Sequence, residues 1–288
     1  MYFSLSITYW LTFALAIPAA GFMVRIFIIF HDCGHGSFFI SRRANNIFGF
    51  IAGLITFAPY YHWNHKHATH HASAGDLDRR GMGDVWTLTV KEYHGLPKRE
   101  RLKYILFRNL LVMLLIGPVY LFLIYNRFVI GKATARERYY VYSTNLGILF
   151  LVIISSALIG IKAYLMIQLP IIIIAGIAGV WLFYVQHQFE GVYWARHENW
   201  NFQHAALEGS SFYKLPKLLQ WFSGNIGFHH VHHLSSRIPN YNLELCHKEI
   251  PEFQNVKPLT LLASLKSIKY RLWDEENNKL VGFEYFRG

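Results

Sequence analysis

Three groups of histidines carry the chemistry of this sequence. His31 and His35 are four residues apart, while His67, His70 and His71, and again His229, His232 and His233, follow the pattern H-x-x-H-H. On a helix, side chains at i and i+4 share a face about 5–6 Å apart at Cβ, close enough to reach one metal ion or a neighbouring pair. In H-x-x-H-H the i and i+3 rings are expected to share a face while the third turns aside, so that one element serves two ions. Imidazole suits iron, zinc, copper or nickel. Eight rings exceed what one ion needs, and zinc takes only four ligands and does no redox work. The pattern therefore predicts a dinuclear centre. Even with 16 histidines in 288 residues, such clustering is far from random.

The elements that must hold these rings are read from charge and hydropathy. The chain is 53% hydrophobic and 17% aromatic but only 16% charged, against about 25% for a soluble domain. The missing charge is concentrated in blocks. Met1 to Val24, Tyr139 to Ile161 and Ala163 to Gln186 carry none and are long enough to span a bilayer, which needs about 20 residues. The last two, separated only by Lys162, read as a hairpin. Ile47 to Ala58 is too short to span and suits a re-entrant or interfacial segment. Asn109 to Asn126 is broken by Gly117-Pro118 and suits a dip that returns to its own side.

Lys98, Arg99, Arg101, Lys103 and Arg108 precede that dip, and Arg127, Lys132, Arg136 and Arg138 follow it. Basic residues on both flanks place both ends in the cytoplasm. One dip and one hairpin lie between the second and third histidine groups, and each returns the chain to its starting side, so all three groups are expected on the cytoplasmic face. The predicted fold is all-α: a polytopic membrane helical bundle with re-entrant segments and a cytoplasmic helical cap holding a di-metal site. Residues 1–288 form one domain, with spans about 3–30, 142–161 and 164–187. The re-entrant or interfacial parts are about 46–60 and 106–127, and the cap is 61–105 with 188–288.

Other classes are excluded or disfavoured. Cys33 and Cys246 are too few for a disulfide framework. The net charge of +11 is accompanied by no nucleic-acid motif. No cleavable signal peptide, internal repeat or low-complexity linker is evident. Leu261, Leu262, Leu265, Ile268 and Leu272 recur at helical spacing and predict a helix docked on the cap, with membrane-surface contact as the alternative.

His31-Asp32-Cys33-Gly34-His35, Trp63-Asn64-His65-Lys66-His67-Ala68-Thr69-His70-His71 and His229-His230-Val231-His232-His233-Leu234 resemble the three histidine boxes of membrane fatty acid desaturases. Gly75-Asp76-Leu77-Asp78-Arg79-Arg80, Asn225-Ile226-Gly227-Phe228 and Ile238-Pro239-Asn240-Tyr241-Asn242 resemble the delta-12/omega-6 branch, as found in bacterial acyl-lipid desaturases. The resemblance covers nearly the whole chain. It implies two iron ions, O2 as co-substrate, a membrane-lipid acyl chain as substrate, and an electron donor such as ferredoxin. It also implies a ninth ligand upstream of the third box, and His187 stands where that ligand is expected, at the inner end of the last span. Family members usually carry a further membrane helix ahead of the first box. Here one fits, so the chain either lacks an N-terminal helix or manages with fewer spans.

The remaining histidines have blander expectations. His62 and His65 are expected near the centre or at the surface, His230 is expected to point away from it, and His94, His197, His204 and His247 are expected on polar faces. A metal-bound imidazole usually donates its other N–H to a carboxylate or carbonyl. Asp32, Asp76, Asp78, Glu190 and Glu198 are candidates for that role. Trp63, Trp181, Tyr184 and Trp194 are candidates to line an acyl channel, against a default of core or interfacial residues.

Removing hydrogen from an unactivated methylene needs an oxidant that no side chain supplies, whereas redox metals with oxygen do. No flavin, haem or iron–sulfur motif appears, so electrons must come from outside. An acidic ferredoxin or flavodoxin suits the basic inner face, and cytochrome b5 is the less expected donor. The localisation that follows is a bacterial cytoplasmic membrane with the active site facing the cytoplasm. The nearest rival is hydroxylation or ketolation of an acyl chain or carotenoid by the same kind of centre. A metal transporter would need polar ligands within its spans, and here Arg25 is the one charge in the three spans.

Overall fold

The computed structural model describes residues 1–81, 83–129 and 133–286, so Lys132, read above as an inner-side charge, lies outside the described residues. The chain divides into two compact units. The first comprises Met1–His65, Leu114–Val180 and Phe222–Gly224; the second comprises Lys66–Met113, Trp181–Trp221 and Asn225–Gly288. Six helices matter here: α1 (Tyr9–His35), α2 (Arg42–Ile55), α3 (Tyr60–Ser73), α4 (Ala135–Ile159), α5 (Ile161–His187) and α6 (His229–Leu234).

Three of these, α1, α4 and α5, are long and apolar enough to cross a membrane, with mean hydropathies of 2.2, 1.9 and 2.3. A bent pair, Lys98–Phe107 with Val112–Arg127, would make a fourth if counted as one span. On α4, Leu146, Phe150 and Leu158 are 68%, 62% and 77% exposed. Leucine and phenylalanine left uncovered along a whole helix call for lipid rather than water. The break between α4 and α5 is a single residue, Gly160, at φ 81°.

In the first unit, α1 ends at Gly36, whose left-handed backbone (φ 70°) lets its N–H return to the Cys33 carbonyl. The first histidine pair therefore lies on the final turn of α1 and not beyond it. Phe30, Cys33, Ala52, Ala58 and Tyr60 form the adjoining core. Tyr60 donates to the Cys33 carbonyl at 2.5 Å, and its ring lies where Gly49 of α2 has no side chain; a Cβ there would sit 2.2 Å from it.

The helical expectation holds, and the second unit adds a few short strands to it. Among the described residues there are five: β1 (Leu88–Thr89), β2 (Phe212–Lys214), β3 (Pro258–Thr260), β4 (Leu272–Asp274) and β5 (Lys279–Val281). β4 lies between parallel β1 and antiparallel β5, and β2 pairs in parallel with β3. The C-terminal helix expected from the leucine spacing is cut short at Lys269, because Leu272 pairs with Leu88 on one side and Val281 on the other. Its polarity is also reversed. Ser264 and Ser267 are buried, while Leu262 is 81% exposed.

Candidate metal centre

Seven of the nine expected ligands belong to the second unit. His67, His70 and His71 occupy the last two turns of α3, His187 is the last residue of α5, and His229, His232 and His233 fill the short helix α6. The entry to α6 is fixed by Gly227, whose carbonyl accepts from Tyr213 N at 2.7 Å; a Cβ on Gly227 would meet the Tyr213 oxygen at 2.3 Å. Only glycine allows that approach, which accounts for Gly227 two residues before the box.

The rings sort into two sets by their Nε2 atoms. His70 and His187 approach at 3.1 Å, His187 and His229 at 3.0 Å, and His229 and His233 at 3.1 Å. These four are all buried, with ligand atoms within 4.8 Å of one another. In the other set, His67 and His71 are 3.1 Å apart and His71 and His232 are 3.0 Å apart. The sets adjoin, since the rings of His71 and His233 stack at 4.2 Å. The pairing within each H-x-x-H-H corrects the expectation from spacing. The i and i+4 rings (His67 with His71, His229 with His233) act together, and the middle histidine (His70, His232) serves the other set.

The outer nitrogens decide what the inner ones are. His70 Nδ1 donates to the Asp84 carboxylate in a short contact, and His187 Nδ1 donates to the Gly209 carbonyl at 3.2 Å. A neutral imidazole whose Nδ1 holds the proton presents a bare lone pair at Nε2. Two lone pairs at 3.1 Å repel unless a cation lies between them. A proton would satisfy one pair, whereas four converging rings suit a metal ion. The donor set therefore fits a transition metal that accepts imidazole, iron included.

His31 and His35 belong to the first unit, where their ring centroids are 4.8 Å apart and His31 Nδ1 bonds to Asp32 Oδ1 at 3.0 Å. Of the carboxylates proposed from sequence, Asp32 holds a box histidine. Asp76 and Asp78 instead engage His197, Arg79 and Arg196, and Glu190 lies 3.7 Å from Lys266. Asp84 was missed. It reaches His70 because Gly81 and Gly83 turn the chain at φ 115° and 76°, and a Cβ on Gly83 would crowd His70 Cβ at 3.0 Å.

Among the described residues, His62, His65, His94, His197, His204, His230 and His247 join neither set. His230 turns away from the box, as expected, and meets His247 at 3.1 Å. His247 is itself buried rather than on a polar face. The four aromatics considered as channel lining are scaffold: Trp63 packs on Phe30 and Tyr60, Trp194 lies in the core of Leu77, Val192, Trp273 and Leu280, and Tyr184 donates to the carbonyls of Ser267 and Tyr270. Trp181 donates to the Tyr213 hydroxyl.

Burial, with neighbouring His71, His229, His187 and His70, holds His233 well below the usual imidazole range. Burial and then His247 push His230 down to about 3. Unfolded, both rings take up a proton near pH ~6.5. The stability that depends on their staying neutral is therefore complete above about pH 6.5 and is lost as the pH falls below it, for His230 down to about 3. The melting temperature of the metal-free chain should drop between pH 7 and pH 5. A flat profile across that window contradicts the neutral assignment.

Fold and donors together define a class: an α-helical membrane protein with an imidazole-only site able to hold metal. Residues 8–260 match the family model for fatty acid desaturases. A fatty acid desaturase of Bacillus subtilis (strain 168) is 52% identical over 98% of this chain and 80% of its own length. An sn-1 acyl-lipid omega-3 desaturase (ferredoxin) of Nostoc sp. (strain 36) is 26% identical over 81% of this chain. An sn-1 oleoyl-lipid 12-desaturase of Synechocystis is 26% identical over 78%. This chain spans 66% and 64% of those two relatives, just under two thirds of each. The chain belongs to the fatty acid desaturase family and is an oxidoreductase.

Proposed function

We propose that the chain desaturates the acyl chains of membrane lipids at a pair of iron ions, with O2 as co-substrate. The observation that carries this reading is the set of four buried histidines, His70, His187, His229 and His233, whose ligand atoms lie within 4.8 Å of one another and could hold a metal ion. His31 and His35, which form the first histidine box, are proposed as ligands of the second ion, alongside His67, His71 and His232. Bound iron with O2 supplies the oxidising power that no side chain has.

The chain's own residues do the rest. Asp84 and the Gly209 carbonyl hold the tautomers of His70 and His187, and Asp32 holds that of His31. The reaction balances as one –CH2–CH2– unit, one O2, two electrons and two protons giving one –CH=CH– unit and two waters. The electrons come from a soluble donor. Ferredoxin, named for the Nostoc relative, or flavodoxin suits a chain of net charge +11, since both are acidic. The active site faces the cytoplasm of a bacterial inner membrane, the side on which such donors are found.

Expression in a host lacking unsaturated lipids, with ferredoxin supplied, should yield acyl chains two mass units lighter by gas chromatography and mass spectrometry. Products sixteen units heavier would mean hydroxylation instead. An unchanged lipid profile, with the protein present in the membrane, would overturn the assignment.

A further inference from the structure

Arg108 is 1% exposed, and among the described residues no carboxylate is paired with it. A buried guanidinium without a counter-ion is costly, so its neutral partners must compensate. It donates to Gln188 Oε1 at 2.8 Å, to the Tyr270 carbonyl at 3.0 Å and to the Trp86 carbonyl at 3.3 Å. It also lies 5.4 Å from the centre of the Tyr184 ring. Gln188 is fully buried, and its amide nitrogen donates to Thr87 Oγ1 at 3.1 Å. Both ends of the Gln188 amide are thus fixed, one by Arg108 and one by Thr87.

Gln188 follows His187 directly. Thr87 lies three residues from Asp84, which accepts from His70 Nδ1. The two facing rings, His70 and His187, are therefore held from one short segment, by Asp84 at its start and by Thr87 through Gln188 at its end. We infer that Arg108 and Gln188 are positioning residues that set His187 against His70 and so determine the affinity of the metal ion bound by the four-histidine set.

This inference rests on the metal reading above, and the two fail differently. The full chain, purified metal-free in detergent, is titrated with Co2+ against a competing chelator while its visible spectrum is recorded. Wild type should bind two ions per chain. If it binds none, the metal reading itself fails. Gln188→Leu should weaken one of the two ions about ten- to a hundredfold, the usual effect of losing a group that supports a ligand. The spectrum of that ion should change while the other ion stays tight. Gln188→Glu keeps an acceptor for Arg108 and should restore most of the affinity. Thr87→Val, which removes the other anchor, should weaken the same ion in the same direction; it carries the test if Gln188→Leu does not fold. Wild-type affinity and spectrum in the folded variant, or Gln188→Glu no better than Gln188→Leu, would overturn the inference.

Discussion

Replacing His233 with alanine should remove one metal ion from the chain and lower desaturation by about a thousandfold or more, as expected when one member of a cooperating catalytic set is lost. His233 closes the four-ring set through its 3.1 Å approach to His229, and it also stacks on His71 of the other set at 4.2 Å. Truncation thus deletes a donor and opens a space where the two sets meet, which makes this site more sensitive than an outlying ligand. The matched control is His230→Ala in the same helix. His230 is equally buried but bonds to His247, so its loss should lower stability and leave metal content intact. Metal analysis of the purified variants, read beside acyl-chain composition, separates the two. A His233→Ala chain that keeps both ions, or keeps activity within tenfold, would remove it from the ligand set.

The double change His31→Ala with His35→Ala should be as damaging, for a different reason. His67, His71 and His232 supply three imidazoles, fewer than the other set has, and the i, i+4 pair on the last turn of α1 is the remaining source of donors. The double variant should keep the ion held by His70, His187, His229 and His233, lose the other, and desaturate nothing detectable. Retention of two ions would show that the first box is not a ligand pair, whatever its effect on turnover.

How much of this could be read in advance depended on how local each signal was. The apolar blocks were visible because a helix facing lipid must be apolar along its own length, and α1, α4 and α5 each carry that signature alone. The boxes were visible because ligands on one helix need fixed spacing. Their division into sets was read wrongly, because both i, i+3 and i, i+4 lie on one helical face and only the position of the partner ring chooses between them. Asp84 was invisible for a different reason. Its approach to His70 depends on two left-handed glycines turning the chain, and nothing near His70 in sequence points to it. The same holds for Arg108, which meets Gln188 across 80 residues. The strands were missed because two or three residues are too short to show a period of two. The C-terminal leucines misled because their helical spacing is real but Leu272 is claimed by β1 and β5.

The most direct test is a crystal structure of the iron-loaded chain with diffraction measured at the iron absorption edge. Two anomalous peaks per chain are expected, one among the Nε2 atoms of His70, His187, His229 and His233 and the other on those of His31, His35, His67, His71 and His232. A single peak, no peak, or peaks on other side chains would contradict the paired iron centre.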